Sequence, residues 1–221
     1  MRHEIKFVFN TNELSIFESW LTSNTRFKER YKSRIVNSIY FDDLNNSSAN
    51  DNLAGIGFRE KYRLRWYDQN LTETGRFELK KKHHKLNYKN YFDLLLNENK
   101  EKKINNIYFA KLFQKELFNW NKKYSFELFP KIQVQYKRKY YEDNNNVRIT
   151  FDNQIRFWPS LENSLPFFGS IFSYQPQIVE LKFLPEHYSY VASLLKKTRF
   201  LPKRHSKYLA GLATLNEFKY I

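Results

Sequence analysis

Several short runs of the chain alternate apolar and polar side chains, the pattern of strands with one dry and one wet face. From 2 to 9, Arg2, Glu4 and Lys6 fall on one side and His3, Ile5, Phe7 and Phe9 on the other. From 58 to 67, Arg59, Lys61, Arg63 and Arg65 oppose Phe58, Tyr62, Leu64 and Trp66. From 75 to 82, Arg76, Glu78, Lys80 and Lys82 share a side. Four further runs read as strands: RIVNSIYFD (34 to 42), KIQVQYKRKYY (131 to 141), VRITFD (147 to 152) and IVELKF (178 to 183). Residues 12 to 21 place Leu14, Phe17 and Leu21 at helical spacing behind Asn12 as a cap, and 105 to 120, 186 to 198 and 205 to 219 read the same way. The polar stretches DDLNNSSAND and DQNLTETG read as turns. This order predicts an α+β fold, with a mostly antiparallel sheet and appended helices rather than a βαβ repeat.

With 221 residues, no repeat, no Pro- or Gly-rich linker and no break in composition, residues 1 to 221 are read as a single domain. The 21 Phe, 16 Tyr and 4 Trp supply a large core and argue against disorder. Cysteine is absent, which excludes disulfides, thiolate zinc sites, iron–sulfur clusters and cysteine nucleophiles. Met1 to Lys6 has no apolar signal core, and no run approaches the ~20 apolar residues of a membrane helix, so a cytoplasmic protein is expected.

The formal charge of +15 points to a polyanionic partner, and the placement of the cations narrows it. The polar strand faces collect Arg2, Lys6, Arg59, Lys61, Arg63, Arg65, Arg76, Lys80, Lys82, Arg148 and Lys182 against Glu4, Glu78, Asp152 and Glu180. One reading is the solvated outer face of a half-buried sheet. The other is a closed barrel with these rows inward, a lumen stable only with water or a polyanion inside. Linear oligophosphate suits such a lumen: arginine offers forked donors, lysine a point charge, and isolated carboxylates a place for a phosphate-bridging divalent ion.

The ordered motifs RHEIK, SIYFDD, YRLRWYD, FELKKK, YKRKYYE, VRITFD, VELKF and SKY, spanning Arg2 to Tyr208, resemble the VTC domain. This is the polyphosphate polymerase module of the vacuolar transporter chaperone complex, within the triphosphate tunnel metalloenzymes that also include the CYTH phosphatases and cyclases. The resemblance implies an antiparallel β-barrel tunnel that binds ATP and a growing polyphosphate chain with manganese or magnesium. It assigns phosphate binding to Lys6, Arg63, Arg65, Lys80, Arg138, Arg148 and Lys182, metal binding to Glu180, and catalytic roles to Arg204, Ser206 and Lys207. By its period Arg138 shares a face with Ile132, Val134 and Tyr136, so a bulge or twist is expected to turn it inward.

The implied reaction moves the γ-phosphoryl group of ATP onto the end of a polyphosphate chain, which needs positioning and charge neutralisation but no strong base. The chain has no P-loop motif and no cysteine nucleophile, and no Ser-His-Asp set is evident. A CYTH-type triphosphatase or cyclase is the alternative within the family, although the usual ExExK opening here reads Arg2, Glu4 and Lys6. A non-catalytic module for polyphosphate or RNA is the third reading; with no RRM or OB signature, nucleic acid is not expected as partner. Glu4 and Glu78 are open between pairing with neighbouring cations and touching metal. His83-His84 reads as solvent-facing, since adjacent strand residues point to opposite faces. A stand-alone domain is expected, without the sensor domain or membrane segment of the eukaryotic arrangement.

Overall fold

A computed structural model describes residues 2–24, 26–83, 86–94 and 105–215. In chain order the elements are β1 (His3–Phe9), α1 (Thr11–Asn24), β2 (Lys28–Asp42), α2 (Ser47–Leu53), β3 (Phe58–Tyr67), α3 (Leu71–Thr74), β4 (Arg76–His83) and β5 (Leu86–Asp93). There follow α4 (Asn106–Trp120), β6 (Phe129–Glu142), β7 (Arg148–Pro159), β8 (Phe172–Tyr174), β9 (Gln177–Phe183), a 3-10 turn (Pro185–His187), α5 (Tyr188–Leu195) and α6 (Lys207–Thr214). The strands form one sheet in the order β1-β9-β7-β6-β2-β3-β4-β5, with β8 against β7. The β1–β9, β9–β7, β2–β3, β3–β4 and β4–β5 ladders are antiparallel.

Every strand expected from alternation is present, and the structure extends several. β2 begins at Lys28, where KERYK is exposed and carries no alternating signal. β5 and β8 lie in segments with no clear period. The second half of the stretch read as the turn DDLNNSSAND forms the start of α2. Its first amides are satisfied from upstream: Asp42 accepts hydrogen bonds from the Ser48 and Ala49 N–H groups at 3.0 Å each, and Asp43 from Ser47 at 2.9 Å. The helix expected over 205–219 is observed as Lys207–Thr214, and residues 216–219 lie outside the described residues.

The contacts divide the chain into two compact units, with β2, β6 and β7 contributing to both. The first comprises residues 1–35, 136–155 and 173–206. One face of its strands is apolar: Phe7 and Phe9 of β1, Ile149 and Phe151 of β7, and Val179, Leu181 and Phe183 of β9 pack with Leu14, Phe17 and Leu21 of α1 and with Val191 and Leu194 of α5. The period-two alternation therefore commits Glu4, Lys6, Thr150, Asp152, Glu180 and Lys182 to the other face.

The second unit comprises residues 36–135, 156–172 and 207–221. Ile39, Phe41, Tyr62, Leu64, Trp66, Phe77 and Leu79 pack on Phe109, Ala110, Phe113 and Leu117 of α4. Beyond α4, the Lys81 ammonium donates to the Tyr124 hydroxyl at 2.6 Å, which donates to Glu60 at 2.8 Å, with the Trp120 ring 4.6 Å from the ammonium. α6 lies close on β6 and β7 because Gly211 has no Cβ: one built there would come 1.9 Å from Ile132 Cδ1 and 2.9 Å from Phe157 Cδ1.

Candidate functional site

In the second unit the register stacks charges across strands. Arg63 of β3 lies directly opposite Tyr40 of β2 and Glu78 of β4, and Glu78 opposite Tyr91 of β5. One row on, Lys61, Lys80 and Lys89 oppose one another across three strands; in the other direction Arg65 sits between Ser38 and Arg76. Opposed residues of antiparallel strands project from the same face, so these groups form one cationic surface with one carboxylate in it. Both Arg63 Nε and Nη2 contact Glu78 Oε2, and Arg65 Nη1 lies 3.7 Å from Oε1. Burial alone would raise the Glu78 carboxyl, but Arg63 and Arg65 outweigh it and hold it at about 2.

Tyr40 is buried, and Arg63 Nη1 approaches its hydroxyl at 3.4 Å. Burial would raise this phenol; Arg63, Arg65 and Lys207 overcome it and lower the pKa. The Tyr40 ring stacks on Tyr208 of α6 at 5.1 Å, and the Tyr208 hydroxyl donates to Asp42 at 2.8 Å. These contacts fix the start of α6, where Lys207 is the first helical residue. The buried Ser38 hydroxyl, opposite Arg65, has no hydrogen-bond partner among the described residues.

In the first unit Glu180 is the centre of a second cluster. It lies opposite Lys6 of β1 and Thr150 of β7. Lys6 Nζ is 3.1 Å from Glu4, 3.5 Å from Glu180 and donates to the His205 carbonyl at 3.1 Å. Lys182 donates to Glu180 at 2.6 Å and stands 3.9 Å from Glu4. Burial opposes ionisation of Glu180, yet Lys182 and Lys6 hold its carboxyl well below the usual glutamate range. Burial likewise opposes the charge on Lys6, and Glu180 and Glu4 raise its pKa in spite of it.

Arg138 clamps Asp152 with two bonds, 2.5 Å from Nε and 2.6 Å from Nη2, and Nη2 lies 4.0 Å from Glu180. β6 is continuous, and Tyr136 lies on the same side, its ring 5.1 Å from the guanidinium.

The remaining sequence candidates sit apart from these contacts or at their edges. Arg148 is exposed and bonded to Glu142 at 2.8 Å, although its register position is opposite Lys182. Arg204 is exposed in the segment before α6, whereas Ser206 is buried. His83 is exposed at the end of β4, and His84 lies outside the described residues. Reading the sequence for cations passed over Tyr40, Asp42 and Tyr208, whose signal is packing rather than charge.

Glu180 and Glu4 are two hard-oxygen donors gathered around one ammonium, and the described residues hold no group of three or more metal-ligating side chains. Magnesium and manganese sites completed by substrate phosphates use one or two protein carboxylates, so this donor set fits such an ion.

Three solved structures share the fold of this chain. A Pyrococcus horikoshii protein superimposes with a TM-score of 0.54 at 17% identity, covering 97% of this chain and 98% of its own. A Hippeastrum protein, named for an adenylyl cyclase and described as having a dominant triphosphatase activity, gives 0.55 at 14% identity over 96% of each chain. A Vibrio parahaemolyticus protein named for an adenylate cyclase gives 0.51 at 10% identity over 97% of each. No curated protein matches by sequence. The shared architecture is the α+β triphosphate tunnel fold, and the VTC-domain family matches residues 1–216. The chain belongs to the VTC-domain family.

Proposed function

We propose that this chain is a metal-dependent polyphosphate polymerase, transferring the γ-phosphoryl group of ATP to the terminal phosphate of a polyphosphate chain with release of ADP. The observation that carries the reading is the opposed row Lys61, Lys80 and Lys89 beside Arg63 and Arg65. Like charges directly opposite in a sheet are destabilising, and a row of phosphates relieves that repulsion along its length. Membership of the VTC family supports the same chemistry. Arg63, Arg65 and Lys80 bind phosphate oxygens, as do Lys6, Arg138, Arg148 and Lys182; Ser38 adds a hydroxyl donor. Lys207, with Ser206 and Arg204 just ahead of it, neutralises charge developing on the transferred group.

Glu180 with Glu4 would hold the divalent ion, manganese or magnesium, which when bound supplies further neutralisation of phosphate charge. Both the attacking and leaving groups are phosphate oxygens, so alignment and charge supply the catalysis and no general base is required.

Triphosphate hydrolysis is the second reading, supported by the triphosphatase activity ascribed to the Hippeastrum protein of the same fold. Incubating the pure protein with ATP and manganese separates the two. A polymerase yields a polyphosphate ladder on gels with matching ADP; ADP with equimolar free phosphate and no ladder would establish the triphosphatase. In Glu180→Gln, turnover is expected to vanish while polyphosphate binding stays equal or tightens. Turnover within a few-fold of wild type would remove the metal role from Glu180.

A further inference from the structure

The Tyr40 phenol stands on the cationic face of the second unit, among the groups proposed to bind phosphate. Ser38 and Tyr40 of β2 lie opposite Arg65 and Arg63 of β3, so all four side chains leave the sheet on the same side. The ring needs no hydroxyl for its packing. It stacks on Tyr208 with centroids 5.1 Å apart and an interplanar angle of 10°, which a phenylalanine would do as well. A buried hydroxyl, in contrast, is costly unless its hydrogen bonds are made.

Those bonds are only half made. Among the described residues the hydroxyl oxygen accepts from Arg63 Nη1 at 3.4 Å, and no acceptor takes its proton. The charged groups that bear on it most, Arg63 and Arg65 of β3 and Lys207 of α6, are donors only. Asp42, two residues along β2, is committed elsewhere: Oδ2 accepts from the Tyr208 hydroxyl and the Ala49 amide, and Oδ1 from the Ser48 and Asp43 amides. Glu78, on the strand beyond β3, is held by Arg63 and Arg65. An O–H set among cations and short of an acceptor calls for an anionic oxygen, which the same cations would hold in place.

We propose that Tyr40 is a further substrate-binding residue, donating its phenolic O–H to a non-bridging oxygen of the phosphate bound between Arg63 and the start of α6; this rests on reading the rows of β3 and β4 as the phosphate site. The proton stays on the phenol throughout. Arg63, Arg65 and Lys207 lower the pKa of the phenol against the effect of burial, and a more acidic phenol is a stronger donor to an anion. The same shift limits the contact at high pH, where an ionised Tyr40 has no proton to give and repels phosphate. The other titratable groups around it are Glu78 of β4, Tyr208 of α6, Asp42 of β2 itself and, on the part of β6 within this unit, Lys131.

The test is Tyr40→Phe, which keeps the ring on Tyr208 and removes one hydroxyl. Binding of inorganic tripolyphosphate is measured by calorimetry from pH 7 to pH 10, in EDTA to suppress turnover, with thermal unfolding of both ligand-free proteins alongside. The variant is expected to melt no lower than wild type and to bind tripolyphosphate about tenfold more weakly at pH 7, as the loss of one hydrogen bond to a charged group implies. Towards pH 10 the gap should narrow, because wild type loses the contact as the phenol ionises while the lysines and the ligand titrate alike in both proteins. If wild type binds and the variant matches it at pH 7, the role of Tyr40 is wrong and the phosphate site stands. A loss of constant size from pH 7 to pH 10 would assign the hydroxyl to packing and likewise overturn the contact. If wild type does not bind tripolyphosphate at all, the phosphate reading falls and takes this contact with it.

Discussion

Glu78 is the carboxylate on which the arginines of β3 converge, and its ionisation is built into the stability of the empty protein. Its folded pKa of about 2 lies below that of an ordinary glutamate, near 4.5, so the charged form is favoured by folding. The contribution is fully present above the ordinary value and is lost as pH falls from about 4.5 towards about 2. The difference corresponds to about 3 kcal/mol, undiminished by solvent because the side chain is only 9% exposed. Urea unfolding between pH 7 and pH 3, without polyphosphate, should show this loss in the wild type. Glu78→Gln should be less stable at pH 7, with two partly buried guanidinium groups left short of their counter-charge, and should have a flatter acid limb. Parallel pH profiles for the two proteins would show that Glu78 is not the group responsible.

At the scale of elements, the packing of α6 depends on one missing methyl group. Gly211 sits in a helix, where alanine is intrinsically favoured by about 1 kcal/mol, so a loosely packed site would gain from the substitution. Here the added Cβ would meet Ile132 and the rigid Phe157 ring, and overpacking of this kind costs about 1 to 3 kcal/mol. Gly211→Ala should therefore lower the melting temperature. Because α6 also holds Tyr208 against Tyr40 and begins with Lys207, activity should fall more than stability alone explains. A variant as stable and active as wild type would show that Ile132 and Phe157 move aside freely.

The same elements show what the sequence made legible. β1, β3, β4 and β9 alternate over most of their length between a dry core and a charged face, so the side chosen by Arg63, Arg65, Lys80, Glu180 and Lys182 could be read directly. The start of β2 and all of β5 have no such contrast, and pairing with neighbouring strands forms them. α2 was hidden because its amides are satisfied by Asp42 and Asp43, outside the helix, in a stretch whose composition favours turns. Tyr40 carries no charge to mark it, and its place between Arg63 and Tyr208 follows from register and from long-range packing.

For the whole molecule, the charge of +15 raises the question of whether an anion is held by a site or merely by a polycation. Specific binding stabilises the folded state by mass action, about 2.7 kcal/mol when ligand is present at a hundred times its dissociation constant. For a chain of this length each kcal/mol moves the melting temperature by about 2 to 4 °C, so saturating tripolyphosphate should raise it by about 5 to 10 °C at low salt. The rise should shrink towards 1 M sodium chloride, where the screening length falls to about 3 Å, without vanishing for groups as enclosed as Arg65, which is 12% exposed. Two paired substitutions separate site from net charge. Arg63→Gln with Arg65→Gln and Lys111→Gln with Lys115→Gln each take +15 to +13, but the second pair lies on exposed positions of α4. Each protein is compared with its own ligand-free melting temperature, which removes any loss of stability from breaking the Glu78 contacts. The arginine pair should abolish most of the ligand-induced rise and the lysine pair should leave it nearly unchanged. Equal losses from both pairs would mean that tripolyphosphate responds only to total charge, and the rows on β3 and β4 would have no special claim on it.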